Sequence, residues 1–126
     1  PVWKMLWSNK AVLAVLWEMF PGHPNLLPAS FDALAMQGDY VSKPVHSREG
    51  ANIEVVRKGQ VLARSDGGYS RNRLVFQELY PLRDFGRGVP VLGSWIVDGA
   101  AAGLGIREDG LITGNRARFV PHIIQE

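Results

Sequence analysis

The chain contains no cysteine, which excludes disulfides, thiolate zinc sites and cysteine nucleophiles and leaves a reducing compartment allowed. Long hydrophobic runs are missing as well. The longest, Ala11 to Leu16, is far short of the roughly 20 residues that span a bilayer, and no basic start with an apolar signal region precedes it. The histidines His23, His46 and His122 stand far apart, with no H-x-x-x-H spacing, so no metal is expected on them. A G-x-S-x-G hydrolase elbow is absent, and so are both standard phosphate fingerprints, G-x-x-x-x-G-K-[ST] and G-x-G-x-x-G. Lysine is scarce, with four against ten arginines, a balance that favours oxyanion recognition. A formal net charge of only +2 does not announce a nucleic-acid binder. The expectation from these absences is a soluble, cytoplasmic chain with neither membrane nor nucleic-acid partners.

What is present is enough for a core: 126 residues at 46% hydrophobic composition have the size of one domain folded around one centre. The chain opens on Pro1-Val2-Trp3 without an initiator methionine, which suggests a piece of something longer. After Ser8, apolar residues recur at Val12, Leu13, Leu16, Trp17 and Phe20 until Pro21-Gly22, the spacing of one helix face with a stop signal. A second, shorter helix is expected from Ser30 to Gln37, with Gly38-Asp39 as its exit. Short β-type runs follow: 40–45, 53–57, 60–64, 74–80, 89–97, 102–108 and 118–123. Lys58-Gly59 joins two of them as a hairpin, and Arg107-Glu108-Asp109-Gly110 has the composition of a charged hairpin turn. N-terminal helix or helices followed by mostly antiparallel strands make the fold class α+β.

Several residues break local rules. Lys10 falls in the first turn of the first helix, where the dipole disfavours a cation by about 0.3 to 1 kcal/mol. An anion shared with the free helix N–H groups would account for it, and so would a lysine swinging into solvent. Lys43 sits inside an apolar strand between Val41 and Val45. It suits either a phosphate contact on a flexible stem or an edge-strand lysine that blocks aggregation. In the loop that follows, Ser47, Arg48, Gly50 and Ala51 suit either an ordinary solvated turn or a small-residue loop whose N–H groups could face an anion, with a guanidinium able to donate two parallel bonds. Gln77 and Glu78 lie side by side in the apolar strand Leu74 to Tyr80, where unpaired burial is costly, so they line a cleft or mark the end of the sheet.

Four blocks, "SNKAVLAVLWEMFPGHPNLLPA", "YVSKPVHSREGANI", "VFQELYPL" and "GIREDGLIT", together resemble the C-terminal part of the glutathionylspermidine synthase family, including its shorter homologues that lack the amidase domain. The resemblance covers nearly the whole chain in order. It implies an ATP-grasp-like fragment of an ATP-dependent carboxylate–amine ligase. Such enzymes use ATP and Mg2+ to activate a carboxylate, glutathione- or peptide-like, as an acyl phosphate that a spermidine-like amine attacks. By resemblance, Lys10 and Lys43 contact the nucleotide phosphates, and Arg48 and Gly50 belong to a mobile loop closing over the γ-phosphate. Gln77, Glu78, Leu79 and Tyr80 match a hinge strand that holds adenine by its edge. Arg107 matches an arginine near the reacting end, and Leu111 and Ile112 match apolar residues near the base. The catalytic roles would fall to Arg48 and Arg107.

The family's magnesium ligands lie in R-x-D and E-x-N segments upstream of the region resembled here, and neither precedes Ser8 in this chain. The Mg2+ ligands are therefore expected outside these residues, on the N-terminal half of the same enzyme, and the isolated piece is expected to bind ATP or ADP without turnover. Two other readings stay open: a non-catalytic nucleotide-binding or interaction domain, and nucleic-acid binding through Arg71, Arg73, Arg83 and Arg87.

Overall fold

The computed structural model describes residues 1–123. Where length alone suggests one centre, the contacts gather into two compact units, Pro1–Tyr80 and Pro81–Glu126.

In the first unit, helix α1 (Lys4–Trp7) is a single exposed turn, and α2 (Ala11–Met19) is the helix expected from the apolar spacing. Ser8 closes α1 rather than opening α2; it is Asn9 whose Oδ1 accepts from the Ala11 N–H at 2.9 Å. The α2 ladder ends at Phe20, and Gly22 follows at φ +78°, a left-handed conformation that stops the helix without side-chain strain.

A five-stranded antiparallel sheet carries the rest of the unit: β1 (Ala29–Ser30), β2 (Tyr40–Pro44), β3 (Glu54–Arg57), β4 (Gln60–Arg64) and β5 (Leu74–Glu78), in the order β1-β5-β2-β3-β4. The hairpin at Lys58-Gly59 forms as expected, with φ +50° and +74° at the two turn residues, the pattern of a type I′ turn. The helix expected from Ser30 to Gln37 does not form. Ser30 instead pairs with Phe76 in the sheet, and only one 3-10 turn, Ala33–Ala35, remains, capped by Asp32 Oδ1 on the Leu34 N–H at 2.9 Å. Eight residues with little apolar periodicity could not compete with a sheet edge that offered backbone bonds.

Register decides what faces what. Ala29 and Val41 both lie opposite Gln77, and Lys43 lies opposite Val75. Because directly opposed residues share a face and neighbours alternate, Ala29, Val41, Lys43, Val75 and Gln77 share one face. The core forms on that face: Ala14 of α2 packs with Ala29 and the fully buried Val75, with Leu13, Trp17 and Phe31 around them.

The second unit is a three-stranded antiparallel sheet, β6 (Val89–Val97), β7 (Ala100–Asp109) and β8 (Arg118–Val120), in that order. Arg107, Glu108 and Asp109 are strand residues of β7, not a hairpin turn. The turn is Asp98-Gly99, with φ +50° and +77°. Glu108 can sit in the strand because its carboxylate meets Arg118 across the β7–β8 pair at 3.2 Å. Gly88 has φ +142°, and a Cβ there would lie 2.7 Å from the Asp109 carbonyl oxygen. Gly88→Ala is expected to destabilise this unit by about 1 to 3 kcal/mol, read as a lower urea midpoint.

Candidate functional site

Three cations of the first unit converge around the start of α2 and the end of β2. The Lys10 backbone N–H donates to Val45 O at 2.8 Å, which fixes the start of α2 over the end of β2. The Lys10 ammonium donates to the Ser47 carbonyl. The Arg48 guanidinium donates to the same carbonyl at 3.1 Å and to His46 O at 3.2 Å. On the sheet face under α2, Lys43 Nζ donates to Gln77 Oε1 at 2.6 Å. The two residues are diagonal neighbours across β2 and β5, about 7 to 8 Å apart at the backbone, a gap a lysine stem spans.

Every oxygen holding these cations is neutral. Among the described residues the ion pairs are Arg57–Asp39, Arg64–Glu54 and Arg118–Glu108, so Lys10, Lys43 and Arg48 have no carboxylate partner. Like charges gather without compensation, and the ammonium groups respond. Burial lowers Lys43 below the ordinary lysine value, with the Lys10 charge adding to it. Lys10 is lowered by burial and then by Arg48. Both shifts are what burial of an ammonium produces, with a neighbouring cation adding to it.

The backbone offers less than the sequence suggests. The N–H groups of Ala11, Val12 and Leu13 are taken by Asn9 Oδ1, Asn9 O and Lys10 O, so the first turn of α2 keeps no open donors there. In the loop, the Ser47 N–H turns inward to Pro44 O at 3.1 Å, and the Ala51 N–H to Arg48 O at 2.9 Å. The loop's tip, Arg48 and Glu49, is exposed, while its far side is pinned. Gly50 O accepts from Ser65 Oγ, and Asn52 Oδ1 accepts from the Tyr69 N–H at 2.7 Å. Gly50 and Glu49 both have left-handed φ, +73° and +51°.

A cleft of about 920 Å³ opens at the other end of β5, lined by α2 residues Ala14, Trp17 and Glu18, by Phe31, and by Glu78 and Leu79. Of the expected hinge, Glu78 and Leu79 line this cleft, Gln77 faces Lys43, and Tyr80 is largely exposed. Two hinge N–H groups are already used: Glu78 donates to Pro28 O at 2.8 Å and Leu79 to Asp39 O at 2.9 Å. Asp39 carries two further contacts, accepting the Lys58 N–H at 2.8 Å and pairing with Arg57 at 3.3 Å. Neither Asp39 nor the Ser47 carbonyl was legible as part of the site, because a backbone acceptor and a turn aspartate leave no distinctive sequence pattern.

Arg107, Leu111 and Ile112 belong to the second unit. Arg107 is half-buried in the middle of the β6–β7–β8 sheet, opposite Val91 and Phe119, and Leu111 and Ile112 follow the end of β7. The four arginines considered for nucleic acid are divided between the units, and Arg73 and Arg83 stack on Phe31 and Phe85, with the guanidinium carbons 4.2 and 5.1 Å from the ring centroids.

Residues 1–125 match the family described as "Glutathionylspermidine synthase preATP-grasp". The chain belongs to the glutathionylspermidine synthase family. Among curated relatives of this family member, a putative acid–amine ligase of Haemophilus influenzae is 41% identical over 97% of the chain and 34% of its own length. A trypanothione synthetase of Crithidia fasciculata is 36% identical over 94% of the chain and 19% of its own length. A bifunctional glutathionylspermidine synthetase/amidase of Escherichia coli is 36% identical over 65% of the chain and 14% of its own length. The chain thus spans about a third or less of these ligases. Among the described residues no three His, Asp or Glu side chains converge as metal ligands. No helix among these residues is long and apolar enough to cross a membrane.

Proposed function

We propose that this chain forms the nucleotide-binding part of an ATP-dependent acid–amine ligase with an ATP-grasp-like fold. The observation that carries the proposal is the set of Lys10, Lys43 and Arg48, each held by a neutral oxygen with no carboxylate among them. Such a cluster lowers the energy of a polyphosphate and has no evident structural purpose of its own. Lys10 and Lys43 would bind phosphoryl oxygens, and Arg48, at the exposed tip of a loop pinned at Gly50, would close over the terminal phosphate. The cleft end of β5 suits the base, with Glu78 and Leu79 in its lining and Tyr80 just beyond. From Leu79 to the level of Lys43 is four strand residues, about 13 Å, a span that an extended nucleotide bridges.

In the reaction proposed for the whole enzyme, a carboxylate oxygen attacks the γ-phosphorus and ADP leaves. The amine nitrogen then attacks the acyl carbon, loses a proton, and inorganic phosphate leaves. This chain's share is positioning and positive charge on the transferring group, the main requirement of phosphoryl transfer. By resemblance, Arg107 is proposed as a catalytic arginine, and Leu111 and Ile112 as apolar nucleotide-binding residues. The carboxylate is proposed to be glutathione- or peptide-like and the amine spermidine-like.

Calorimetric titration of the chain with ADP and ATP, with and without magnesium, tests the reading. Saturable binding that competes with pyrophosphate is the expected result, and no heat at millimolar nucleotide would favour the interaction-domain alternative.

A further inference from the structure

Gln77 matches an adenine-holding strand by resemblance, yet its side chain is directed along the sheet face to Lys43. An ammonium has donors only, so the amide atom facing it is the oxygen, and the amide NH2 points elsewhere with both donors available. We propose that Gln77 is a positioning residue for Lys43, a neutral clamp that aims the ammonium at a phosphoryl oxygen without cancelling its charge. This rests on the phosphate-binding role proposed above for Lys43.

Three observations support the clamp. The bond is short, 2.6 Å, and both partners are half-buried on strands rather than loops, so the ammonium is held on a rigid element. It uses one of three ammonium donors and leaves two for a ligand. Neutrality is also a property of the whole cluster, since Lys10 and Arg48 are likewise held by backbone carbonyls. A carboxylate in place of the Gln77 amide would make the same hydrogen bond and form a part-buried ion pair. That pair would present a phosphate with little net attraction and one repelling charge. The adjacent carboxylate, Glu78, lies opposite Tyr40 and so on the other face of the sheet.

The test uses Gln77→Glu and Gln77→Met in the full chain, each also combined with Lys43→Met, with inorganic pyrophosphate and adenosine as separate calorimetric probes. A nitrogen-detected NMR titration of the Lys43 ammonium provides a readout that needs no ligand. Gln77→Glu is nearly isosteric, and its urea midpoint checks that the fold is kept. Expected are a pyrophosphate affinity lowered more than tenfold in Gln77→Glu and about tenfold in Gln77→Met, unchanged adenosine affinity, and no further loss in the Lys43→Met background. The Lys43 titration should move up in Gln77→Glu and further down in Gln77→Met. Loss of adenosine affinity with pyrophosphate unaffected would overturn the clamp and return Gln77 to the base. Unchanged pyrophosphate affinity in both variants would overturn it too. If the wild-type chain takes up neither probe, the phosphate-binding reading fails by itself. The Lys43 titration then still tests the contact on which the clamp depends: shifts of opposite sign show that Gln77 holds the ammonium, and an unmoved titration overturns the clamp.

Discussion

Lys43→Met is expected to weaken ADP and ATP binding by roughly 2 to 5 kcal/mol, about 30-fold to several thousand-fold in affinity, while the fold stays as stable as before or becomes more so. The loss follows from removing a desolvated charge that has Lys10 as its cationic neighbour. The second half of the expectation is the more diagnostic. A lysine that is half-buried, bonded to a neutral amide and repelled by Lys10 is a cost to the free protein. Methionine keeps most of the stem's packing against the sheet face and removes the charge. A residue whose removal costs ligand affinity but not stability belongs to function rather than to the core. Parallel calorimetry and thermal unfolding check both halves, and a large drop in melting temperature with unchanged affinity would contradict the assignment.

The pH dependence should be equally marked. Lys10 and Lys43 both titrate below the ordinary lysine value of 10.5, chiefly through burial, with Arg48 and Lys10 respectively as the added positive neighbours. Between the lowered folded values and the unfolded value, the unfolded chain binds more protons, so the stability of the free protein rises with pH across that window. Bound phosphate reverses the repulsion and raises both values. Binding therefore takes up protons there, and affinity is full below the lowered values and falls as pH rises through them. Nucleotide binding is expected to begin its decline below pH 10.5 while the free fold becomes more stable. Titrations in buffers of different ionisation enthalpy would report the proton uptake directly. Affinity that stays flat up to the ordinary lysine value would show that neither ammonium meets the ligand.

Much of the fold was legible where one local signal dominated. The apolar spacing at Val12, Leu13, Leu16 and Trp17 produced α2, and Lys58-Gly59 between two β-type runs produced the β3–β4 hairpin with its left-handed turn. Legibility failed where tertiary partners decided. Ser30 looks like a helix cap, but its neighbour in space is Phe76 on β5. Arg107 to Asp109 looks like a turn because three charges are rare in a strand, and what makes the strand tolerable is pairing on both sides and the Arg118 guanidinium. The site divides in the same way. Lys10, Lys43 and Arg48 were suspect from the sequence because each broke a local rule. That Gln77 belongs to Lys43 depends on the β2–β5 register, which no segment of either strand encodes alone. Of the N–H groups anticipated at the helix start and in the loop, those of Ala11 and Val12 go to Asn9, that of Ser47 to Pro44 and that of Ala51 to Arg48.

Asp39 has a mechanical meaning beyond its three contacts. It grips the Leu79 N–H through its carbonyl, and the turn residue Lys58 and the Arg57 guanidinium through its carboxylate. The end of β5 and the tip of the β3–β4 hairpin are thereby one lever with a common fulcrum. The lip of the cleft and the hairpin tip thus share one anchoring residue.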